Sequence, residues 1–256
     1  MNFPLAGRGI LVTRPIEQTD ALAEEIRDAG GEAIIFPAMA IVPVHDDTLG
    51  QRLAQLATYD AAIFISPNAV RHGLDTIDTP RAWPEQVRVY ALGPGTARAL
   101  KQLGLVKVIQ PDGQDTEALL ALPSLHMVNN QRIVIFRGVG GRELLADTLR
   151  ARGALVEYAE CYRRVRPESD AGPIIERWSA GDIHAVTINS AETLHNLASM
   201  LGEAGIPFLR TTPIFAPHEK IAQAARALGI EQVIATAGGD AGLVDGLMTW
   251  FQRTHE

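Results

Sequence analysis

The chain repeats itself, and a repeated sequence must fold as repeated supersecondary structure. The strand-like run from Gly9 through Arg14 to Pro15, with Leu22 and Gly30 after it, matches the run from Gln131 through Arg137 to Gly138, with Leu145 and Gly153 after it. Arg14 and Arg137, Leu22 and Leu145, and Gly30 and Gly153 share an offset of 123. Residues 61–70 match 185–194 at an offset of 124, which pairs Ser66 with Ser190. Ala91, Ala97, Gly104, Val108, Gly113 and Asp115 recur at an offset of 125 as Ala216, Ala222, Gly229, Val233, Gly238 and Asp240. Loop insertions account for a drift of one residue between blocks.

Each half alternates strands and helices. Residues 10–13, 61–65, 87–91 and 107–109 are short branched-aliphatic runs, the pattern of strands buried on both faces. Helices are predicted over 16–29, 48–57, 67–75, 95–103 and 115–122. In the first, Leu22 and Ile26 share a face, and Gly30 is placed to terminate it. The second half repeats the pattern with strands at 133–136, 184–188, 213–215 and 232–235 and helices at 142–152, 190–201, 219–228 and 240–252. Such alternation predicts an α/β class of Rossmann or flavodoxin type, with parallel sheets covered by helices on both faces, in two domains. β-rich runs at 37–45 and 159–167 occupy matching positions in the repeats and are suited to pair as a two-stranded linker. In that case one domain is 46–158 and the other joins 1–36 to 168–256. Periodicity alone leaves this swapped arrangement and a contiguous one both open.

Composition removes several function classes. With 46% hydrophobic and 21% charged residues, the 256-residue chain is globular rather than disordered. Its single cysteine, Cys161, forms no internal disulfide or multi-cysteine zinc site, and in its strand-like setting it reads as an inert thiol rather than a nucleophile. The longest apolar stretch, 33–44, is interrupted by Pro37 and Pro43 and falls short of the roughly 20 residues that span a bilayer. Residues 1–9 lack the apolar core of a signal peptide, so the expected location is the cytoplasm and no membrane partner is expected. A net charge of −7 argues against a nucleic-acid partner but leaves room for a small anion in a locally basic cleft.

In doubly wound sheets, ligands bind beyond the carboxyl ends of the strands, where helix N-termini offer free amides. This rule selects the loops that carry Arg14, Ser66, Thr96, Arg137 with Gly138 and Arg142, Ser190 and His218. The arginines add forks that suit carboxylate or phosphate; a surface ion pair is the alternative for each, as simple helix capping is for the hydroxyls. Glu143 stands where a dinucleotide fingerprint needs glycine, and no phosphate-loop lysine follows. The seven histidines form no metal-binding pair, so neither metal nor cofactor is expected.

With these residues in place, the chain resembles the uroporphyrinogen-III synthase family of tetrapyrrole biosynthesis almost end to end. The likeness runs through Leu11 to Pro15; Ile65, Ser66, Pro67, Asn68; Ala91, Leu92, Gly93, Thr96, Ala97; and Arg137, Gly138, Gly140, Gly141, Arg142 through to Tyr158, Tyr162, Arg163 and Arg164. The resemblance implies a HemD-like fold, two discontinuous α/β domains on a two-stranded linker, and so favours the swapped arrangement. It implies a substrate, hydroxymethylbilane, held in a cleft between domains and closed to uroporphyrinogen III with loss of water and inversion of ring D, as a cofactor-independent lyase on the way to haem and other porphyrins. It also implies that Tyr162 assists departure of the hydroxyl and that Thr96, Ser66 and Ser190 are cleft hydroxyls. His218 and Lys220 stand where the family commonly has serine and arginine. A monomer is expected. The competing readings are a non-catalytic relative and a two-lobed binding protein for a small polyanion.

Overall fold

The computed structural model describes residues 3–44, 47–75 and 83–253. His45, the end of the expected 37–45 linker strand, and Asp46, the start of the expected 46–158 domain, lie outside the described residues. The chain divides into two compact units, one comprising Met1–Ala40 with Val165–Glu256 and the other Ile41–Arg164.

In chain order, the first unit opens with β1 (Gly9–Val12), α1 (Asp20–Asp28) and β2 (Glu32–Ile35). The second unit carries β3 (Ala40–Pro43), α2 (Asp47–Ala54), β4 (Ala61–Phe64), α3 (Pro67–Leu74), β5 (Arg88–Ala91), α4 (Pro94–Gln102), β6 (Val108–Ile109), α5 (Thr116–Leu120), β7 (Arg132–Gly138), α6 (Leu144–Ala151) and β8 (Leu155–Val165). The chain then completes the first unit with α7 (Gly172–Ser179), β9 (Ala185–Thr187), α8 (Ala191–Thr211), β10 (Ile214–Ala216), α9 (Glu219–Ala227), β11 (Val233–Ala235) and α10 (Gly239–Arg253).

The sheets are ordered β11-β10-β9-β1-β2 and β3-β8-β7-β4-β5-β6. Five strands correspond one to one across the repeat, with β11, β10, β9, β1 and β2 standing where β6, β5, β4, β7 and β8 stand. β1, β2, β9, β10 and β11 pair in parallel, as do β4, β5, β6, β7 and β8. The second unit reads 3-2-1-4-5 in its own chain order, and its order reverses between β4 and β7.

Alternation along the strands sorts each core into two layers. Val134, Phe136, Ala62 and Phe64 pack with Ala69 and Val70 of α3 and Leu100 of α4. Their neighbours Ile133, Ile135, Ala61 and Ile63 pack on the other side with Leu119 of α5 and Leu145 and Leu149 of α6. In the first unit, Leu11 and Val186 face Trp178, Leu194 and Ala225 of α7 to α9, whereas Ile10 and Val12 face Leu22, Ile26 and Leu247 of α1 and α10. Burial of each Val, Leu, Ile or Phe side chain in these layers contributes about 1.5–3 kcal/mol.

Three features depart from the sequence expectation. β3 pairs beside β8, as expected of the runs at 37–45 and 159–167, but β8 runs unbroken for 11 residues, so residues 159–164 also continue the sheet strand that begins at Leu155. Ala159, Cys161 and Tyr162 are buried in the second unit's core and hold them there. The helix expected over 190–201 continues to Thr211 after a break at Gly202, whose φ of 58° only glycine adopts readily. α7 has no counterpart in the expectation, because its Ile174 and Trp178 mark only one turn of apolar spacing after Gly172 and Pro173.

Candidate active site

The reversal between β4 and β7 is where an open α/β sheet leaves a crevice at its carboxyl edge. In the second unit, the residues there are Ser66 after β4, Thr96 after β5, Arg137 and Gly138 ending β7, and Tyr162 on β8. A cavity of about 390 Å³ opens at this edge, lined among others by Arg137, Gly138, Arg142, Tyr158, Tyr162 and Arg164.

Tyr162 owes its position to a shift in pairing. Arg137 is paired with Glu160, yet Gly138 is paired with Tyr162, so Cys161 is an extra residue on β8. The shift turns Tyr162 onto the α3 side of the sheet, away from the side that carries Tyr158. There its hydroxyl lies 3.0 Å from Ser66 Oγ, and either atom can donate. Ser66 Oγ is itself fixed by accepting the Ala69 amide at 3.1 Å as the cap of α3. The Tyr162 ring is 2% exposed and stands 6.1 Å from the His72 ring. Gly138 is required beside it, since a Cβ there would fall 2.7 Å from Tyr162 Cε2. Thr96 is 4% exposed, and its hydroxyl bonds to no other described residue. It lies on α4, whose first turn adjoins α3: a Cβ on Gly95 would sit 3.7 Å from Pro67.

Arg137 is 3% exposed and its guanidinium is turned into the protein. Nε donates to the Gly138 carbonyl at 3.2 Å, Nη2 donates to the Gly140 carbonyl, and Nη1 pairs with Glu143 at 2.9 Å. Its Cζ lies 4.5 Å from the ring centroid of Tyr158, whose hydroxyl donates to Glu143. That hydrogen bond, followed by the one from Arg137, holds Glu143 below the usual carboxylate range. Burial first, and then Glu143, raises Tyr158. Arg142 and Arg164 are the opposite case: both are exposed, both line the cavity, and neither pairs with a carboxylate among the described residues. Arg164 is not among the site residues expected from sequence. The signal was available in its spacing, two residues past Tyr162 on one strand.

The remaining expected site residues belong to the first unit. Arg14 is paired with Asp240 at 2.7 Å, at the start of α10. Ser190 caps α8 by accepting the Thr193 amide at 3.0 Å, the counterpart of Ser66 on α3. Its Oγ also meets Thr193 Oγ1 at 2.8 Å. His218 precedes α9 and is exposed, without a capping hydrogen bond from its side chain. Cys161 is buried and burial pushes its thiol up to about 12, so it is not a nucleophile at neutral pH. No helix among the described residues is long and apolar enough to cross a membrane.

Two parallel-sheet units whose five repeat-related strands share one order, with hydroxyls, glycines and arginines at the carboxyl edges, define a class of two-unit α/β proteins. Comparison with known proteins narrows the class. The model of the family "Uroporphyrinogen-III synthase HemD" matches residues 20–245, and the chain belongs to that family. The uroporphyrinogen-III synthase of Escherichia coli K12 is 33% identical over 235 residues, which cover 90% of this chain and 96% of that protein. That of Salmonella typhimurium LT2 is 34% identical over the same length and coverage. Among solved structures, a mutant uroporphyrinogen III synthase from the extremely thermophilic bacterium Thermus thermophilus superimposes with a TM-score of 0.63 at 18% identity, covering 96% of this chain and 99% of that one. The Helicobacter pylori 26695 synthetase gives 0.62 at 14% identity with the same coverage. At these identities the two structures speak to the fold.

Proposed function

We propose that this chain closes hydroxymethylbilane to uroporphyrinogen III, inverting ring D and releasing one water, in porphyrin and haem biosynthesis. The observation that carries the reading is the Ser66–Tyr162 hydroxyl pair at the carboxyl edge of β4 and β8, in a chain of this family. Beside it lies a cavity with two arginines that have no carboxylate partner among the described residues. The substrate presents eight carboxylates and one departing hydroxyl. Arg142 and Arg164 meet carboxylates, with Arg14, Thr96, Ser190, His218 and the amides around Gly138 as further contacts. Tyr162 donates its phenolic proton toward the departing hydroxyl, and Ser66 holds that phenol in line. The C–O bond breaks as water leaves, and the electron-rich pyrrole supplies the pair that replaces it. That supply of electrons makes the reaction a lyase step that calls for no cofactor. The protein's larger task is positioning, to select closure through the substituted carbon of ring D over simple head-to-tail closure. We also read the protein as a cytoplasmic monomer without nucleic-acid or membrane partners.

The test is to add purified protein to freshly generated hydroxymethylbilane at neutral pH and separate the oxidised products by isomer. Dominant type III uroporphyrin is expected, with Tyr162→Phe slower by about 100-fold but not inactive. Type I alone at the rate of buffer overturns the reading in favour of a non-catalytic relative or a binding protein.

A further inference from the structure

We propose that Arg137 is a positioning residue: it is the template around which loop 138–143 folds, and the shape of that loop brings Arg142 to the substrate. The role rests on the proposed function for the substrate's identity and on geometry for everything else. All three guanidinium nitrogens have protein acceptors within 138–143: the carbonyls of Gly138 and Gly140 and the carboxylate of Glu143. The third, Glu143, is the last residue before α6 and is gripped from its other oxygen by Tyr158. The loop therefore closes as a ring around one planar cation. Gly140 at φ 73° and Gly141 at φ 107° supply the left-handed turns this needs, and a Cβ on Gly141 would fall 3.0 Å from Arg137 Nη2. Arg142 follows directly and lines the cavity without an ion pair among the described residues.

Three of the five N–H donors of Arg137 are committed in this way, Nε among them, so a side-on fork to a substrate carboxylate would require it to release the Gly138 carbonyl. A lysine cannot take over the template, because one compact ammonium does not span three acceptors arranged for a fork. The nearby Glu143 separates the two roles by sign. Its removal lessens the negative charge near a site for a polyanion and frees the guanidinium, both of which tighten binding if Arg137 itself meets the substrate. If Arg137 is a template, the same change loosens the loop and weakens binding.

The experiment compares Glu143→Gln, Tyr158→Phe, Arg142→Ala and the Arg142→Ala/Glu143→Gln double variant with the unaltered protein, in steady-state kinetics and in amide hydrogen exchange. The expected result is a KM raised about 2- to 5-fold in Glu143→Gln and Tyr158→Phe with kcat nearly unchanged. Exchange should quicken within 138–143 and not in the strands. The double variant should have a KM no higher than Arg142→Ala alone, because the clamp acts through Arg142. Arg137→Lys, if it folds, should resemble Arg142→Ala rather than the parent. A KM that falls or stays level in Glu143→Gln overturns the proposal, as does additivity in the double variant. Absence of type III product from the unaltered protein would instead sink the functional reading, while the exchange comparison would still report on the clamp.

Discussion

Gly138 carries no side chain where the Tyr162 ring lies against its Cα, and this one contact ties loop, strand and hydroxyl pair together. Gly138→Ala would set a methyl 2.7 Å from Cε2 and 2.8 Å from Cζ of a ring that is already buried. Overpacking of this kind costs about 1–3 kcal/mol, and here relief requires Tyr162 to withdraw from Ser66. The expected outcome is a lowered thermal midpoint together with a larger fall in type III formation, measured on the same preparation. An unchanged midpoint with unchanged type III formation would show that Tyr162 does not feel the methyl. At the same scale, the repeat-equivalent Arg14 and Arg137 are both held by protein carboxylates, but by unlike ones. Asp240, which holds Arg14, is equivalent to Asp115, yet Asp115 caps α5 through the Ala118 amide and Glu143 replaces it at Arg137. Sequence identified these arginines as chemically able to bind anions. It contained no sign of which guanidinium faces inward, because that depends on partners up to 226 residues away, as for Arg14 and Asp240.

Among the elements, β8 does the most to place the chemistry. Strict alternation would put Tyr162 on the side of Tyr158 and Glu160; the extra residue at Cys161 moves it to the side of Ser66. Period-two patterning reads strands well and misses a single inserted residue, since the insertion shows only in the pairing with β7. The helix caps were more legible: Ser66 and Ser190 each precede a helix by one position, and each accepts the amide three residues on. β8 also joins to the segment after α2 through Tyr59, whose hydroxyl donates to Glu157. Burial, then Glu157, raises Tyr59 to about 12. The folded value lies above the unfolded one near 10, so the protonated tyrosine's contribution is complete below about pH 10 and is lost as pH rises toward 12. Alkaline unfolding followed by circular dichroism should therefore steepen above pH 10 in the parent and less so in Tyr59→Phe. Equal pH dependence in the two would show that another group governs it.

For the molecule as a whole, each unit has its own pair of apolar layers on the two faces of its sheet. Two such cores predict unfolding that is not a single all-or-none step. Scanning calorimetry should give a calorimetric enthalpy larger than the van't Hoff value, and a ratio of one would mean that the units melt together. Five strands of the second sheet repeat the order of the first, with β3 added at the edge, although the first unit is assembled from both ends of the chain. By itself, the sequence determined the repeat, the α/β class, the capping serines and the family resemblance, because these depend on local periodicity and on residue order. Only the tertiary structure decided which units the strands join, that Tyr162 meets Ser66, and that Arg137 turns inward while Arg142 and Arg164 stay exposed at the cavity. The first two outcomes are set by strand pairing and by partners distant in sequence, and the third by how residues 138–143 fold back on a buried guanidinium, none of which residue order alone records.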